Sequence, residues 1–593
     1  MLLRKTCAIN ILSKFVRKKS VALVGISDME GVFVRCVPEE ERMQITVNYK
    51  HEGGPCKTVN LERIQVEEVG KTIERLKASM LKKLSKKKKR KKQESADCAE
   101  EPDLKIWLTV KEKLIENEAT PINQTFVEGA VLHIEDQLLP VEINVPVITA
   151  LVLPTNIMVG FPIYPKIHAE FCDLQNSTFT WYQCKSVEDE SQKKKKTKEV
   201  WDKVSEGFSY TPSVSDLGNK LKLTCMPRLG HRSGEEFSSM SKCDVEAGPG
   251  VCPFENRHLY TQNTLEDDGI RIVCYNILAD IYADSDFSRN ELFPYCPPYA
   301  LAIDYRKQLL VKEITGYNSD LICLQEVDRK VFINDHLPAF ESLGYSGVLQ
   351  EKGGTTPEGE ATFYRNSKFR QVEDCSIEIR KAINEDGKYN DIKNIVSTNE
   401  TLKQEMDTRG SIVQVLVLES VINPGCRLCV ANTHLYFHPK ACCIRSLQTV
   451  AIIRHLQDVI QKQTAEGYKV SSVFCGDFNC TPKGGAYEFI TKKHLGPDNY
   501  SWSNNPDFTL EGASFSHELD LKNSCGIVEY TNYARSFHEQ LDYIFIDSTM
   551  DVICVIPMPE HSEVEQHIAL PSVVFPSDHI AQICDLKWKS LYE

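Results

Sequence analysis

The feature that most constrains this chain is a change of pattern near residue 258. From there to the C-terminus, short apolar runs alternate with segments in which apolar residues recur every three or four positions. Residues 302–315 and 444–460 are examples of the second kind. Apolar runs predict buried strands, and the 3.6-residue period predicts amphipathic helices. Alternation of the two indicates a layered α/β domain, which we place at residues 258–593.

The 593 residues are too many for one ordinary core, so a second domain is expected. Residues 28–245 read as a β-rich accessory domain because apolar and polar residues alternate, a pattern typical of strands. Residues 210–225 resemble one edge of an immunoglobulin-like sandwich. Residues 246–257 contain Gly-Pro-Gly and are expected to be a linker. The strand-like segments are 32–37, 43–47, 130–134, 141–147 and 178–183.

Residues 1–27 carry six Lys or Arg residues and no acidic residue. A basic, acid-free start is typical of a mitochondrial presequence and predicts the mitochondrial matrix, although a merely basic terminus remains the alternative. The 22 cysteines have no regular spacing, which favours a reducing compartment. No apolar run is long enough to span a membrane, so no membrane partner is expected.

Two lysine-rich runs lie inside the predicted accessory domain, at residues 82–92 and 193–198. Such runs repel themselves and stay solvated. We interpret the first as an exposed insertion between strands, with a nuclear signal or an RNA-contacting loop as alternatives. The second run is also lysine-rich, and we interpret it in the same way.

Charge is divided unevenly along the chain. Residues 1–250 hold about 39 basic and 35 acidic residues, whereas the remainder holds about 31 and 48, a net charge of roughly -17. An acidic domain does not attract a phosphate chain through bulk charge. If the substrate is a nucleic acid, local basic groups or bound metal ions must offset the repulsion.

Polar residues follow the apolar runs of the predicted α/β domain. Sites in layered α/β folds gather where strands end and loops begin, so these residues are expected to converge. The runs end in Asn276, in Gln325-Glu326, in Asn432-Thr433-His434, in Gly476-Asp477-Phe478-Asn479 and in Ser577-Asp578-His579, and a sixth run begins with Asp542.

The residue types suit hydrolysis of a phosphodiester. Glu326 offers the hard oxygen ligand that Mg²⁺ prefers. Asp477 and Asn479 are two apart, so an extended backbone would direct both to one side, toward a metal-bound water and a phosphoryl oxygen. Asp542 can fix the tautomer of His579. His434 can donate to a phosphate oxygen, and Asp578 can face a second metal ion or orient its neighbours.

Each residue also has an ordinary structural explanation. Asp477 and Asn479 could form an Asx turn, Asp542 could cap the start of a strand, and His434 could be a buried structural histidine. The combination, in this order, is what favours a catalytic site.

The ordered motifs YNIL, LQE, NTHL, GDFN, LDYIF and SDH resemble the exonuclease–endonuclease–phosphatase superfamily. Residues 275–280 (YNILAD) and 360–365 (EATFYR) are similar to its deadenylase branch, which includes Ccr4-type nucleases and nocturnin. The resemblance implies a four-layer α/β sandwich. It places metal-site roles on Glu326, Asp477 and Asn479, with Asn276 in support. It places phosphate and His–Asp roles on His434, His579 and Asp542.

The resemblance also implies an activity. It implies 3′-to-5′ removal of AMP from 2′,5′-oligoadenylate and from 3′,5′ poly(A) RNA, with one or two Mg²⁺ ions and Mn²⁺ as a substitute, and no obligate protein partner. Two alternatives remain open. One is another phosphodiesterase of the superfamily, such as an abasic-site endonuclease or a headgroup phosphatase. The other is an inactive RNA-binding adaptor.

Overall fold

The computed structural model describes residues 30–50, 55–91, 104–188, 197–535 and 537–589. Contacts divide the chain into two compact units. The first comprises residues up to Leu153 with Lys166–Phe208 and Lys220–Lys242. The second comprises Pro154–Pro165, Ser209–Asn219 and Cys243–Glu593. Residues 154–165, 209–219 and 243–245 of the predicted accessory region therefore belong to the second unit. The predicted presequence lies outside the described residues.

The first unit is rich in strands, as the sequence predicts. Its largest sheet has the order β3-β2-β1-β7-β6-β4-β5, a second sheet has the order β11-β10-β12-β15, and β8 pairs with β9. The strands are β1 Gly31–Arg35, β2 Arg42–Tyr49, β3 Lys57–Ile64, β4 Ile106–Val110, β5 Lys113–Leu114, β6 Ala130–Ile134, β7 Gln137–Ile143, β8 Val147–Val152, β9 Lys166–Glu170, β10 Thr178–Glu188, β11 Thr197–Glu206, β12 Leu221–Met226, β13 Arg228–Leu229, β14 Arg232–Ser233 and β15 Phe237–Met240.

Two features of this region were not predicted. Residues 82–91 of the lysine run form the end of a helix, Val69–Lys91, which lies between β3 and β4 in the chain. Its first half packs on the large sheet through Val69, Leu76 and Met80, and lysine is a good enough helix former to continue it. Residues 141–147 are not one strand. The backbone turns at Asn144, where φ is 50°, so β7 ends and β8 begins.

The second unit contains two central sheets. The first has the order β18-β19-β17-β16-β32-β31, and the second has the order β20-β22-β23-β24-β30-β27, with β21 beside β22. Their strands are β16 Gly269–Asn276, β17 Leu321–Asp328, β18 Tyr345–Glu351, β19 Glu358–Arg365, β20 Phe369–Asp374, β21 Ile377–Glu378, β22 Ile412–Ser420, β23 Cys426–His434, β24 Lys469–Asp477, β25 His494–Leu495, β26 Phe515–Ser516, β27 Lys522–Asn523, β28 Asn532–Ala534, β29 Phe537–Glu539, β30 Asp542–Ile546, β31 Met550–Val555 and β32 Gln582–Trp588.

The two sheets pack face to face through a shared apolar core. Ile272 and Cys323 from the first sheet meet Val430 and Ile544 from the second. Helices cover the outer face of each sheet, which completes the predicted four-layer α/β sandwich. The helices of this unit are Phe254–His258, Asp280–Ala283, Pro298–Leu301, Ile303–Gly316, Arg329–Val331, Leu337–Ser342, Ile379–Glu385, Asn390–Val396, Glu400–Thr408, Cys442–Ala465, Gly485–Lys492 and His561–Glu565, and the first unit has a short helix at Ile122–Thr125.

One predicted strand of this unit is wrong. Residues 573–575 form a turn, in which the Ser572 hydroxyl accepts hydrogen bonds from the backbone of Val574 and Phe575. A serine that satisfies local backbone donors competes with strand pairing. Among the described residues, no helix combines the length and apolar character needed to cross a bilayer.

Candidate active site

Strand pairing brings the predicted site residues together. In the first central sheet, β16 and β17 run parallel and Asn276 lies opposite Gln325, so Glu326 follows immediately. In the second, His434 lies opposite Asp477 on the parallel pair β23 and β24. Asp477 in turn lies opposite Asp542 at the start of β30. The site therefore forms where the ends of both parallel pairs meet.

Asn276 connects the two sheets. Its side-chain Nδ2 donates to Glu326 Oε1 at 2.9 Å and to Asp477 Oδ2 at 3.1 Å. Its Oδ1 accepts from the backbone of Leu278 at 3.0 Å, which fixes the amide with nitrogen toward the carboxylates. The backbone of Ala279 donates to Glu326 Oε2 at 2.9 Å. Asn276 is thus placed to hold Glu326 and Asp477 through its nitrogen, while its oxygen is directed to the Leu278 backbone and not toward the two carboxylates.

Asp477 and Asn479 converge by a route that differs from the predicted extended backbone. β24 ends at Asp477, and the Asn479 backbone donates to Asp477 Oδ1 at 2.8 Å. Asn479 has φ 47° and Glu326 has φ 57°, a left-handed conformation that is costly outside glycine and concentrates at functional sites. The turn brings Asn479 Nδ2 to 2.9 Å from His434 Nε2.

His579 and Asp542 form a buried pair. His579 Nδ1 is 2.8 Å from Asp542 Oδ2, and the two residues are 5% and 1% exposed. His579 Nε2 is 3.7 Å from Asp477 Oδ2. Burial alone lowers the pKa of His579, but Asp542, Asp578 and Asp477 together raise it well above its usual value. His579 is therefore an imidazolium whose Nε2–H faces Asp477.

The surroundings of the two site carboxylates, Glu326 and Asp477, disfavour their ionised forms. Burial, with a smaller contribution from Glu358, raises the pKa of Glu326 to about 7. Burial and the charge of Asp542 raise the pKa of Asp477 to about 6. Burial lowers the pKa of His434 well below its usual value, and Lys352 and His579 lower it further, so His434 is neutral.

The remaining predicted residue, Asp578, lies beside this group. Its carboxylate accepts from Asn532 Nδ2 at 3.1 Å and is half-buried. It contributes to the raised pKa values of Glu326 and His579, so its charge acts within the site.

Arg306 was not predicted to matter. It is fully buried and donates to the carbonyl oxygens of Ile277, Leu278 and Pro576 at 3.1, 2.8 and 3.1 Å. It therefore ties the loop after Asn276 to the loop that precedes Asp578. A charged residue on the apolar stripe of the predicted helix 302–315 was the available signal.

Lys352 was also missed, because it lies in a Gly-rich loop with no periodic pattern. Its Nζ is 2.7 Å from Glu358 Oε1 and 3.3 Å from His434 Nδ1. Glu358 is fully buried in β19. Burial alone lowers the pKa of Lys352, but Glu358, Glu360 and Glu326 raise it, so the ammonium stays charged.

Asp477, Asp542 and His579 offer ligand atoms within 4.8 Å of one another, a spacing compatible with a metal ion. The hydrogen bond of His579 to Asp542 and its positive charge favour a proton on that ring instead. Glu326 and Asp477 fit a hard cation better, because both are buried carboxylates whose raised pKa values a divalent ion would offset. These metal and catalytic assignments remain predictions.

Comparison with known proteins agrees with this architecture. Residues 273–579 match the Endonuclease/Exonuclease/phosphatase family, and residues 145–246 match the "2′,5′-phosphodiesterase 12-like, N-terminal domain" family. The chain is 40% identical to proteins named 2′,5′-phosphodiesterase 12 from Rattus norvegicus, with 95% of each chain covered, and from Homo sapiens, with 98% of each covered.

A more distant relative matches part of the chain. The Candida albicans protein named CCR4-Not complex 3′-5′-exoribonuclease subunit Ccr4 is 27% identical over 65% of this chain and 49% of its own length. The chain therefore belongs to the endonuclease/exonuclease/phosphatase family, in its 2′,5′-phosphodiesterase 12-like group, and is a hydrolytic nuclease.

Proposed function

We propose that this protein is a Mg²⁺-dependent 3′-to-5′ exoribonuclease that releases AMP from 2′,5′-oligoadenylate and from the poly(A) tails of mitochondrial RNA. The 40% identity to proteins named 2′,5′-phosphodiesterase 12, over nearly the whole chain, supports the 2′,5′ linkage. Similarity to the fungal protein named as a 3′-5′-exoribonuclease supports removal of nucleotides from RNA in the 3′-to-5′ direction.

The observation that carries the proposal is the junction at Asp477. This one carboxylate contacts Asn276 at 3.1 Å, lies 3.4 Å from His434 Nε2 and 3.7 Å from His579 Nε2. A carboxylate between a neutral histidine, a charged histidine and an amide can orient a water on one side of a phosphate and keep donors on the other.

The side chains then have distinct roles. Asp477 orients the attacking water and accepts its proton. Asn479 and His434 bond the non-bridging phosphate oxygens as negative charge develops on them. His579, held by Asp542, keeps its proton on Nε2 and stabilises the same charge.

Glu326 and Asp477 would hold the divalent cation, with Asn276 fixing both carboxylates. A bound Mg²⁺ supplies Lewis-acid stabilisation of phosphate and leaving-group oxygens. Mn²⁺, which accepts the same oxygen ligands, is expected to substitute.

The test is hydrolysis of three substrates: a 2′,5′-triadenylate, a 3′,5′-oligoadenylate and an oligocytidylate, each with Mg²⁺ or with EDTA. We expect AMP from both adenylates, little product from oligocytidylate, and loss of activity in EDTA that added Mg²⁺ restores. Cleavage of duplex DNA or of inositol phosphates instead would support the other superfamily activities. An absence of any product would support the adaptor.

We further propose that the first unit helps capture long RNA, because it contains both lysine-rich runs while the rest of the chain is acidic. Replacing the lysines and arginine of residues 82–92 with glutamine should slow cleavage of long poly(A) at low salt and leave triadenylate cleavage unchanged. Equal losses on both substrates at every salt concentration would contradict this role.

We propose the mitochondrial matrix as the location, on the basis of the basic residues 1–27. A reporter fused to these residues should enter mitochondria, and the full chain lacking them should remain in the cytosol. Nuclear accumulation that depends on residues 82–92 would contradict the proposal.

A further inference from the structure

We propose that the outer face of the sheet β11-β10-β12-β15, in the first unit, binds single-stranded RNA with lysine ammonium groups and two aromatic rings. The proposal deepens the RNA-capture role of the first unit, and it rests on the proposed function for the identity of the ligand. It locates this capture on a described surface that is separate in sequence from the lysine-rich run at 82–92.

The two faces of this sheet have different environments. On the inner face, Trp181 lies opposite Leu223. Phe179 lies opposite Cys225, and each of these four side chains is at most 5% exposed. Side chains alternate along a strand, so the residues between them belong to the outer face. Met240 of β15 belongs to that face and is 56% exposed, so the outer face is open to solvent there.

Aromatic and basic side chains alternate across the outer face. Tyr182 of β10 lies opposite Lys203 of β11 and opposite Lys222 of β12. Trp201 lies on β11, two residues before Lys203, and therefore on the same face. Lys222 Nζ is 4.8 Å from the centre of the Tyr182 ring and 4.7 Å from the centre of the Trp201 ring. One ammonium thus contacts both rings.

Two further lysines lie at one end of this face. Lys220 lies two residues before Lys222, directly before β12, and it is exposed. Lys242 is also exposed. It lies at the same end of the sheet, because the backbone of Ser241 donates to the Leu221 carbonyl at 2.8 Å. We call Lys220, Lys222 and Lys242 the outer-face lysines.

The charge of the outer-face lysines is not neutralised by acids. Glu206 pairs with Lys203 instead, and Glu199 lies on the edge strand β11. Within the part of the chain that the structure describes, no carboxylate oxygen lies within 4.0 Å of the ammonium groups of the outer-face lysines. These three charges therefore remain available to an anionic ligand.

This combination suits a single strand of RNA. Bases stack on aromatic side chains while phosphates bind ammonium groups, and the bases of a duplex are not available for such stacking. A cation on an aromatic ring at an exposed site is held weakly, so a phosphate attracts the Lys222 ammonium more strongly than the rings do. Movement of Lys222 to a phosphate then leaves ring surface of Tyr182 and Trp201 for a base. An acidic peptide would use the lysines without the rings.

The first experiment tests the charges. Binding of a fluorescent oligoadenylate of about 20 nucleotides is measured by anisotropy, with the full chain in EDTA so that cleavage stops. The test variant replaces the three outer-face lysines with glutamine. The control variant replaces Lys381, Lys492 and Lys587 with glutamine, which removes the same charge from lysines that are 52–70% exposed and each pair with an acid.

We expect the affinity at about 50 mM salt to fall at least about tenfold in the test variant and little in the control. The slope of log K against log salt should decrease by about 2, at about 0.7 for each lost phosphate contact. An unchanged slope in the test variant, or an equal loss of affinity in the control, would overturn the proposal.

The second experiment separates the rings from the charges. Trp201→Leu removes a ring and keeps an apolar side chain, whereas Trp201→Phe keeps a ring. We expect Trp201→Leu to bind the single strand at least about fivefold more weakly with an unchanged salt slope, and Trp201→Phe to recover most of the affinity. Both should bind a duplex of the same length as the wild type does. Full affinity of Trp201→Leu for the single strand would overturn the proposal and indicate a ligand recognised by charge alone, such as an acidic peptide. A loss that Trp201→Phe does not reverse would also contradict it.

These binding measurements do not require catalysis. If the wild type released no AMP from any adenylate but the variants bound RNA as expected, the proposed function would fail and the binding site would stand. If replacing residues 82–92 alone removed all salt-dependent binding, that run and not the sheet face would capture RNA, and the proposal would be wrong.

Discussion

Replacing Asp542 with asparagine tests the role of the histidine pair. The change keeps the shape of the side chain and an oxygen that can accept from His579 Nδ1 at the present 2.8 Å. It removes the buried negative charge that, with Asp578 and Asp477, raises the pKa of His579. Both residues are almost fully buried, so water cannot replace the lost charge.

The magnitude follows from that burial. Removing one partner of a buried ion pair costs about 3–5 kcal/mol. If that energy stabilises the transition state, turnover falls about 10²–10⁴-fold. His579 donates only while it is protonated, and its raised pKa keeps it protonated to higher pH in the wild type. In the variant that pKa is lower, so activity on the alkaline side of the pH profile should be lost at a lower pH than in the wild type.

The assay is kcat and KM for triadenylate across pH 6 to 9, with thermal unfolding measured in parallel. Asp547→Asn is the control, because Asp547 follows the other end of β30 and bonds to Ser472 away from the site. Turnover of Asp542→Asn within threefold of the wild type, or a loss confined to KM, would refute the role assigned to the pair.

Three further predictions concern the carboxylates and the strand that carries Asp477. Glu326→Gln keeps the shape of the side chain but removes its charge and one of the two oxygens that accept from Asn276 Nδ2 and the Ala279 backbone. We expect a folded protein with a loss of turnover of about 10³-fold and weaker Mg²⁺ binding by calorimetry. The Mg²⁺ concentration that gives half-maximal activity should rise as pH falls from 8 to 6. The reason is that Glu326 and Asp477, with pKa values of about 7 and about 6, must lose their protons to bind the ion. A half-maximal Mg²⁺ concentration that does not change with pH would contradict this. Gly476→Ala should lower the free energy of unfolding by at least about 2 kcal/mol in denaturant titrations. The added Cβ would lie 1.9 Å from the Thr433 carbonyl oxygen, and φ of Gly476 is 147°. Gly387→Ala, where the nearest atom lies 3.7 Å from the added Cβ, should leave the free energy of unfolding unchanged.

The site residues that end strands could be predicted from the sequence because two signals coincide there. An apolar run marks each strand, and a polar residue marks the point at which that apolar run ends. Asn276, His434 and Asp477 end their strands, Glu326 lies two residues before the end of β17, and strand pairing places them together. The predicted pairing of His579 with Asp542 is present even though residues 573–575 form a turn, because the SDH motif does not depend on a preceding strand, and the catalytic role of His579 stays a prediction.

The residues that escaped prediction act through contacts distant in sequence. Lys352 matters because β19 carries Glu358 next to it and β23 places His434 within reach. Arg306 matters because its guanidinium reaches carbonyls 28 to 270 positions away. The helix at Val69–Lys91 was not predicted because its many lysines leave only a few apolar positions, and the packing of these positions on the large sheet is seen only in the structure.

The acidic character of residues 251–593 leads to a final prediction about RNA binding. The buried cations at the site are each matched to acids: His579 to Asp542, and Lys352 to Glu358. They neutralise these hydrogen-bonded partners first. Among the described residues, Glu326 and Asp477 accept hydrogen bonds only from neutral donors, and His579 Nε2 lies 3.7 Å from Asp477 Oδ2. A phosphate that approaches these carboxylates is repelled until a divalent ion binds, so Mg²⁺ should increase RNA affinity as well as turnover.

The slow variant Asp542→Asn allows affinity to be measured without rapid cleavage. We expect it to bind fluorescent hexaadenylate at least about tenfold more tightly in Mg²⁺ than in EDTA at matched ionic strength, since the ion offsets two buried charges. The same comparison in Asp542→Asn combined with Glu326→Gln should show a much smaller effect, because one of the two carboxylates proposed to hold the ion is then neutral. Equal affinity with and without Mg²⁺ in the single variant would mean that Lys352 and the other basic groups already suffice to bind the phosphate, and that the ion acts on the chemical step alone.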